Sequence, residues 1–314
     1  MFEKPLDRRR KTRQKFLQIF WVLTAAFCLA TGVCLHQGQT AFPNEASDSK
    51  ADIKLDVPFE PSATELVEEM LNIARVNGDD LVYDLGCGDG RIVITAAKKR
   101  GARGVGVDLD PQRIRESLAN ARKAGVSSKV KFFQQDLFQT DIREATVVML
   151  YLWPEVNLRL RPKLLGDLKP GTRVVSHTHD MGTWEPDRSI TAANGHKVHF
   201  WMVPANVGGT WEWQMDGLRD KEGWVLTLQQ SFQKVSGTLQ AGAEEMPLKE
   251  LGLKGEWVRF ATERKINSQV HTILFEGKMK DHILEGTLEE TPARESSKHT
   301  WSARRDPFTA VPWE

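Results

Sequence analysis

The sequence predicts two folded regions. The first is a doubly wound α/β sheet of parallel strands over about residues 57–204. The second is a small all-β region, an antiparallel barrel or sandwich, over 205–308. Three observations carry this. A short β-prone run, Leu81-Val82-Tyr83, leads into a glycine turn, Gly86-Cys87-Gly88-Asp89-Gly90, and out into a helical run from Ile92. Further β-prone runs alternate with helix-length segments as far as Pro204, the arrangement that builds a parallel sheet. Beyond Val203-Pro204-Ala205 the helical period disappears and short alternating runs take over.

Taken in order, Pro61-Ser62-Ala63-Thr64-Glu65 reads as a capping box, Ser62 paired with Glu65. The helix it opens places Leu66, Met70, Ile73 and Ala74 on one face. In the glycine turn, residues without a Cβ let backbone approach a ligand closely, and the helix behind aims N–H groups at it. A dinucleotide fingerprint would read G-x-G-x-x-G/A. Here Gly86, Gly88 and Gly90 give G-x-G-x-G, and Arg91 stands where the third dinucleotide glycine would be. Asp84 lies two positions ahead of the first glycine, and Cys87 is a small loop filler rather than a nucleophile.

Gly104-Val105-Gly106-Val107 forms a second strand and ends at Asp108, 22 residues past Gly86. A carboxylate there can accept from both hydroxyls of a ribose; the plainer reading is a solvated strand end. Asp110 caps a helix from Pro111 to about Ala124, with proline in the first turn. Strands follow at Val130–Phe133, Thr146–Tyr151 and Gly171–Ser176. A leucine-rich helix carrying Leu158, Leu160, Leu164, Leu165 and Leu168 lies between the last two. His177-Thr178-His179-Asp180 supplies two histidines but no third ligand cluster, so no metal is predicted. Either histidine could serve as a base, since both leave the sheet edge where ligands bind.

The chain has 314 residues, a net charge of +1 and 8% aromatics, so its overall balance does not suggest a nucleic-acid binder. Three cysteines, Cys28, Cys34 and Cys87, make neither a disulfide framework nor a metal spacing. At the N-terminus Lys4, Arg8, Arg9, Arg10, Lys11, Arg13 and Lys15 precede an uncharged run from Phe16 to Leu35. That pattern predicts a signal peptide or membrane anchor over 1–36, followed by a polar linker over 37–56. The localisation expected is membrane-anchored or exported, with cytoplasmic as the alternative.

In the second region, Trp224–Gln229 and Thr272–Gly277 read as strands, and a Gly-Thr-(Trp/Leu) unit recurs at Gly209, Gly237 and Gly286. Seven or eight short strands are expected, with Trp211, Trp213, Trp224, Trp257 and Trp301 in the core or at a barrel mouth. A packed structural or docking module is weighed there against a ligand-binding barrel.

Asp84-Leu85-Gly86-Cys87-Gly88-Asp89-Gly90-Arg91, Gly106-Val107-Asp108, Asp136-Leu137 and Arg173-Val174-Val175-Ser176 together resemble the Rossmann-like, seven-strand class I S-adenosylmethionine (SAM) methyltransferases. Within them the chain is most similar to the ATP synthase c-subunit lysine N-methyltransferases and their bacterial relatives, over about Val57 to Trp184. The resemblance implies SAM bound by Asp84, Gly86, Cys87, Gly88, Asp89, Gly90 and Asp108. It also implies that Asp136 meets the adenine amino group, unless it is a surface turn. Tyr151 and Trp153, at the end of the fourth strand, would line the acceptor pocket, unless they pack in the core. No Asn-Pro-Pro-Tyr follows that strand, which disfavours adenine or glutamine acceptors.

The function expected is SAM-dependent methylation of a protein lysine or a small amine, with the membrane as a partner of the N-terminal segment. The rival reading is an exported binding protein with a silent SAM fold, since SAM is made in the cytoplasm. The intact loop favours the enzyme.

Overall fold

The structure is a computed structural model, describing residues 59–214, 223–266, 268–292 and 298–311. The predicted signal or anchor and its linker lie outside the described residues. Among those described, no helix is long and apolar enough to cross a membrane.

The first region runs α1 (Thr64–Ile73), β1 (Leu81–Leu85), α2 (Arg91–Thr95), β2 (Arg103–Asp108), α3 (Pro111–Ala124), β3 (Val130–Gln134), β4 (Val147–Leu150), α4 (Pro154–Asp167), β5 (Arg173–His177), β6 (Arg188–Thr191) and β7 (Lys197–Met202). These strands form one seven-stranded sheet in the order β3-β2-β1-β4-β5-β7-β6. The first five are parallel, whereas β7 and β6 are antiparallel. The sheet is therefore mixed, not wholly parallel, because β6 and β7 form a hairpin closed at Ala192–His196, which needs no helical crossover. Helix α2 passes directly into a π-helical stretch, Ala96–Arg100.

Parallel strands covered on both sides must be apolar throughout. β4 accordingly reads Val147-Val148-Met149-Leu150, all buried. One layer packs Leu66, Met70 and Leu71 of α1 with Ile92 and Val93. The other packs Leu160, Leu164 and Leu165 of α4 with Trp184 and Trp201. Leu158, on the same helix, faces out. The capping box is not made: α1 begins at Thr64, its cap residue Ala63 has no side-chain bond, and Ser62 reaches across the sheet to His177 instead.

The second region comprises β8 (Gly209–Gln214), β9 (Gly223–Ser231), β10 (Lys234–Ala241), β11 (Glu244–Pro247), β12 (Lys249–Lys254), β13 (Trp257–Ile266), β14 (Gln269–Lys280), β15 (Ile283–Thr291) and β16 (Lys298–Arg305). They make one antiparallel nine-stranded sheet, β11-β10-β9-β8-β16-β15-β14-β13-β12, larger and longer-stranded than predicted. Its edge strands are consecutive in sequence, separated only by Leu248. No backbone ladder joins them among the described residues, so a closed barrel is not seen. Pro247 has no N–H to give, and the β12–β13 register shifts between Lys249 and Gly252. Side chains of β13 reach β11 instead, Thr262 Oγ1 donating to the Pro247 carbonyl at 3.2 Å and Arg264 Nε to Glu244 Oε2 at 3.0 Å.

Two of the recurring Gly-Thr units mark tight spots: a Cβ on Gly237 or Gly286 would lie 2.0 or 1.9 Å from a neighbouring strand's carbonyl oxygen. Trp211, Trp213, Trp224 and Trp301 fill the core, while Trp257 is exposed beside Lys278. The β9–β10 turn carries Phe232 into the core of the first region, stacked on Trp184 with centroids 6.1 Å apart. Gln233 donates to the Glu185 carbonyl at 2.6 Å. Phe232→Ala should therefore cost about 3 kcal/mol, the usual penalty for a buried phenylalanine cavity, read as a lower urea midpoint with unchanged slope.

Candidate functional site

A cleft opens at the C-terminal ends of β1, β2 and β4, where α/β sheets bind ligands. Its floor is the glycine turn. Gly86, Gly88 and Gly90 take φ of 84°, 52° and 78°, in the left-handed region that glycine alone enters without strain. Neighbours also forbid a side chain: a Cβ on Gly88 would lie 2.2 Å from the Phe59 ring, and one on Gly90 2.7 Å from Phe132.

Two carboxylates shape this floor differently. Asp108, at the end of β2, accepts from Gly88 N at 2.8 Å and from Asp110 N at 2.9 Å. It thus braces the loop and still lines the cleft. Asp84 is buried, and its Oδ2 has no hydrogen-bond partner. Burial, with Asp108 and Asp89 nearby, pushes its carboxyl up to about 8. An orphaned buried carboxyl at the cleft suits a ligand that brings positive charge and donors, and SAM carries both a sulfonium and an ammonium. Asp89 is turned to Arg91, which it binds at 2.9 and 2.7 Å. Cys87 is buried, and burial pushes its thiol well up, which fits a filler and not a nucleophile.

Across the cleft, Tyr151 follows β4 and stacks on His177, ring centroids 3.7 Å apart and planes inclined by 29°. Its hydroxyl donates to Glu60 Oε2 at 3.1 Å. His177 is buried, with Nδ1 3.0 Å from Ser62 Oγ and Nε2 2.9 Å from His196 Nδ1. Burial first, then the neighbouring His196 and His179, lowers its pKa to about 4. It stacks behind Tyr151 and does not line the cleft, so it backs the pocket wall.

Asp84, Gly86, Cys87, Gly88, Asp89, Asp108 and Tyr151 all line this one cleft, with Gly90 closing the same loop. Two other predicted residues do not line it. Trp153 is half-exposed at the start of α4. Asp136 bonds Phe138 N and Gln139 Nε2 in a turn, and Gln135 takes the cleft position instead. Sequence reasoning missed Gln135 and the segment Phe59–Ser62. Phe59 and Glu60 lack a local pattern, but Pro61 marks an extended segment just ahead of α1.

The ANTKMT methyltransferase domain model matches residues 84–188. A protein-lysine N-methyltransferase of Saccharolobus islandicus (strain REY15A) is 49% identical over 151 residues, 47% of this chain and 94% of that protein. The adenine nucleotide translocase lysine N-methyltransferase of Mus musculus is 35% identical over 185 residues, 59% of this chain and 79% of that one. The ATP synthase c-subunit lysine N-methyltransferase of Homo sapiens is 35% identical over 43% of this chain, and the match spans 57% of that protein. Among solved structures, an RNA methyltransferase from Salinibacter ruber with S-adenosyl-L-homocysteine is 51% identical over 47% of this chain and 96% of that one, with a TM-score of 0.46. The chain belongs to the ANTKMT methyltransferase family, and it is a SAM-dependent methyltransferase.

Proposed function

We propose that this protein transfers the methyl group of SAM to the ε-amine of a lysine in a protein acceptor. The names of its relatives point that way. The observation that carries the reading is a single cleft holding both the glycine loop and an aromatic wall, Tyr151 on neutral His177, with no strong base beside it. SAM supplies an activated methyl on a sulfonium. Asp84, Gly86, Gly88, Gly90 and Asp108 would hold that cofactor, with Cys87 and Asp89 shaping the loop.

Lysine starts from a pKa of about 10.4 and attacks only as the neutral amine. Burial against Tyr151 and Leu152 favours that form. The remaining task is orientation, in which small misplacements cost about 10²-fold. Trp153 would then contact the acceptor at the rim. We place the boundary between the catalytic region and the accessory β region at residues 204–205.

The protein incubated with labelled SAM and denatured cell protein should put label into methyllysine, recovered after hydrolysis. Label confined to other residues or to RNA would overturn the reading. Tyr151→Ala should slow transfer about 10²-fold with SAM affinity unchanged, measured by calorimetry beside the rate.

A further inference from the structure

Residues Phe59–Ser62 cross the cleft as a strap, and each end is fastened to a different part of the site. Phe59 packs over Gly88 and beneath the Arg113 guanidinium, 4.5 Å from its ring centre. Arg91, already clamped on Asp89, donates to the Ser62 carbonyl at 2.7 Å. The Ser62 hydroxyl meets buried His177 at 3.0 Å. Between these anchors Glu60 is exposed at the cleft, and its carboxylate accepts from the Tyr151 hydroxyl.

The other carboxylates nearby are committed differently. Asp89 faces Arg91, Asp108 accepts two backbone N–H groups, Asp110 accepts from Gln112 N, and Asp84 is buried. Glu60 differs in being exposed at the cleft, with a neutral phenol as its hydrogen-bond donor. A phenol donor fixes the carboxylate without neutralising it, so its charge stays available to an incoming cation.

Resting on the lysine reading, we propose that Glu60 is the acceptor-specificity residue: it receives the cationic head of the incoming lysine at the cleft mouth, held in place by Tyr151. Its attraction offsets the repulsion between an ammonium and the sulfonium of bound SAM at the mouth, where the amine sheds its proton to solvent before moving in against Tyr151 and Leu152 as the neutral nucleophile. The anchors on either side of Glu60 make this selective, since they present the carboxylate at one height above the cofactor loop. An uncharged acceptor gains nothing from it.

The test uses the full chain, labelled SAM, and denatured cell protein titrated by its lysine concentration. Glu60→Gln should raise the half-saturating acceptor concentration about tenfold, Glu60→Lys should raise it further, and Glu60→Asp should recover part of the loss. Added salt should weaken the wild type's apparent acceptor affinity and leave that of Glu60→Gln nearly flat. SAM affinity should be the same in all four proteins. If the wild type labels lysine and Glu60→Gln saturates at the same concentration with the same salt response, the assignment of Glu60 is overturned and the lysine reading stands. If the wild type puts no label into lysine, both fall.

Discussion

Asp84→Asn is expected to stabilise the protein at pH 8 while abolishing SAM binding. The buried carboxyl has a folded-state pKa of about 8, against 3.8 in its ordinary state. A raised pKa means that the folded state favours the protonated form. The stability from that preference is whole below about pH 4 and is lost as pH rises to about 8. Over that window the loss is on the order of 5 kcal/mol for an isolated buried group. An asparagine carries no charge to desolvate, so its advantage in urea unfolding should grow from pH 4 to pH 8. The same linkage acts on the ligand. A cationic cofactor stabilises the ionised carboxylate, so binding at pH 7 should release close to one proton from the wild type. The calorimetric enthalpy would then depend on the buffer, and affinity should rise between pH 6 and pH 8. An enthalpy indifferent to buffer would separate Asp84 from the cofactor's charge.

Gly90→Ala is expected to be the most damaging small substitution in the loop. Its φ of +78° costs an alanine about 1–2 kcal/mol by itself. The new Cβ would also meet Phe132 at 2.7 Å and Ser117 at 2.8 Å, both in packed positions. Overpacking of that kind adds about 1–3 kcal/mol. Total destabilisation near 3 kcal/mol with loss of SAM binding is expected from urea unfolding and calorimetry. Gly125→Ala isolates the backbone part: its φ is +71°, but nothing lies within 4 Å of the new Cβ. It should cost about 1 kcal/mol and leave SAM binding intact.

Much of the first region was legible in the chain because its signals are local. The run Asp84 to Arg91 reports strand, turn and helix within a few residues, and the glycines mark left-handed backbone. Pro111 after Asp110 starts α3 where predicted, because a proline and a capping carboxylate act within one turn. Central strand β4 was visible as an unbroken apolar run, since burial on both faces removes the need for polar residues, whereas the edge strand β3 exposes Lys131 between buried Val130 and Phe132.

What tertiary structure decided is the pairing of distant groups. Ser62 looked like a helix cap, yet a buried imidazole 115 positions away is its partner. Asp136 was expected at the adenine amino group; the fold gives it two local hydrogen bonds and sets the neighbouring Gln135 in the cleft lining. Glu60 had no signal at all, because its meaning depends on the Tyr151 hydroxyl 91 residues later. The barrel or sandwich reading likewise could not be settled by alternation. Period-two burial fixes which side chains face inward, whereas closure depends on whether two edge strands can exchange N–H and carbonyl groups, and Pro247 has no N–H to offer. The chain alone determined the glycine loop, the order of strands and helices as far as β5 and the family it resembles. Folding alone determined the aromatic wall and the strap, because both are built from residues whose only common property is where the sheet brings them.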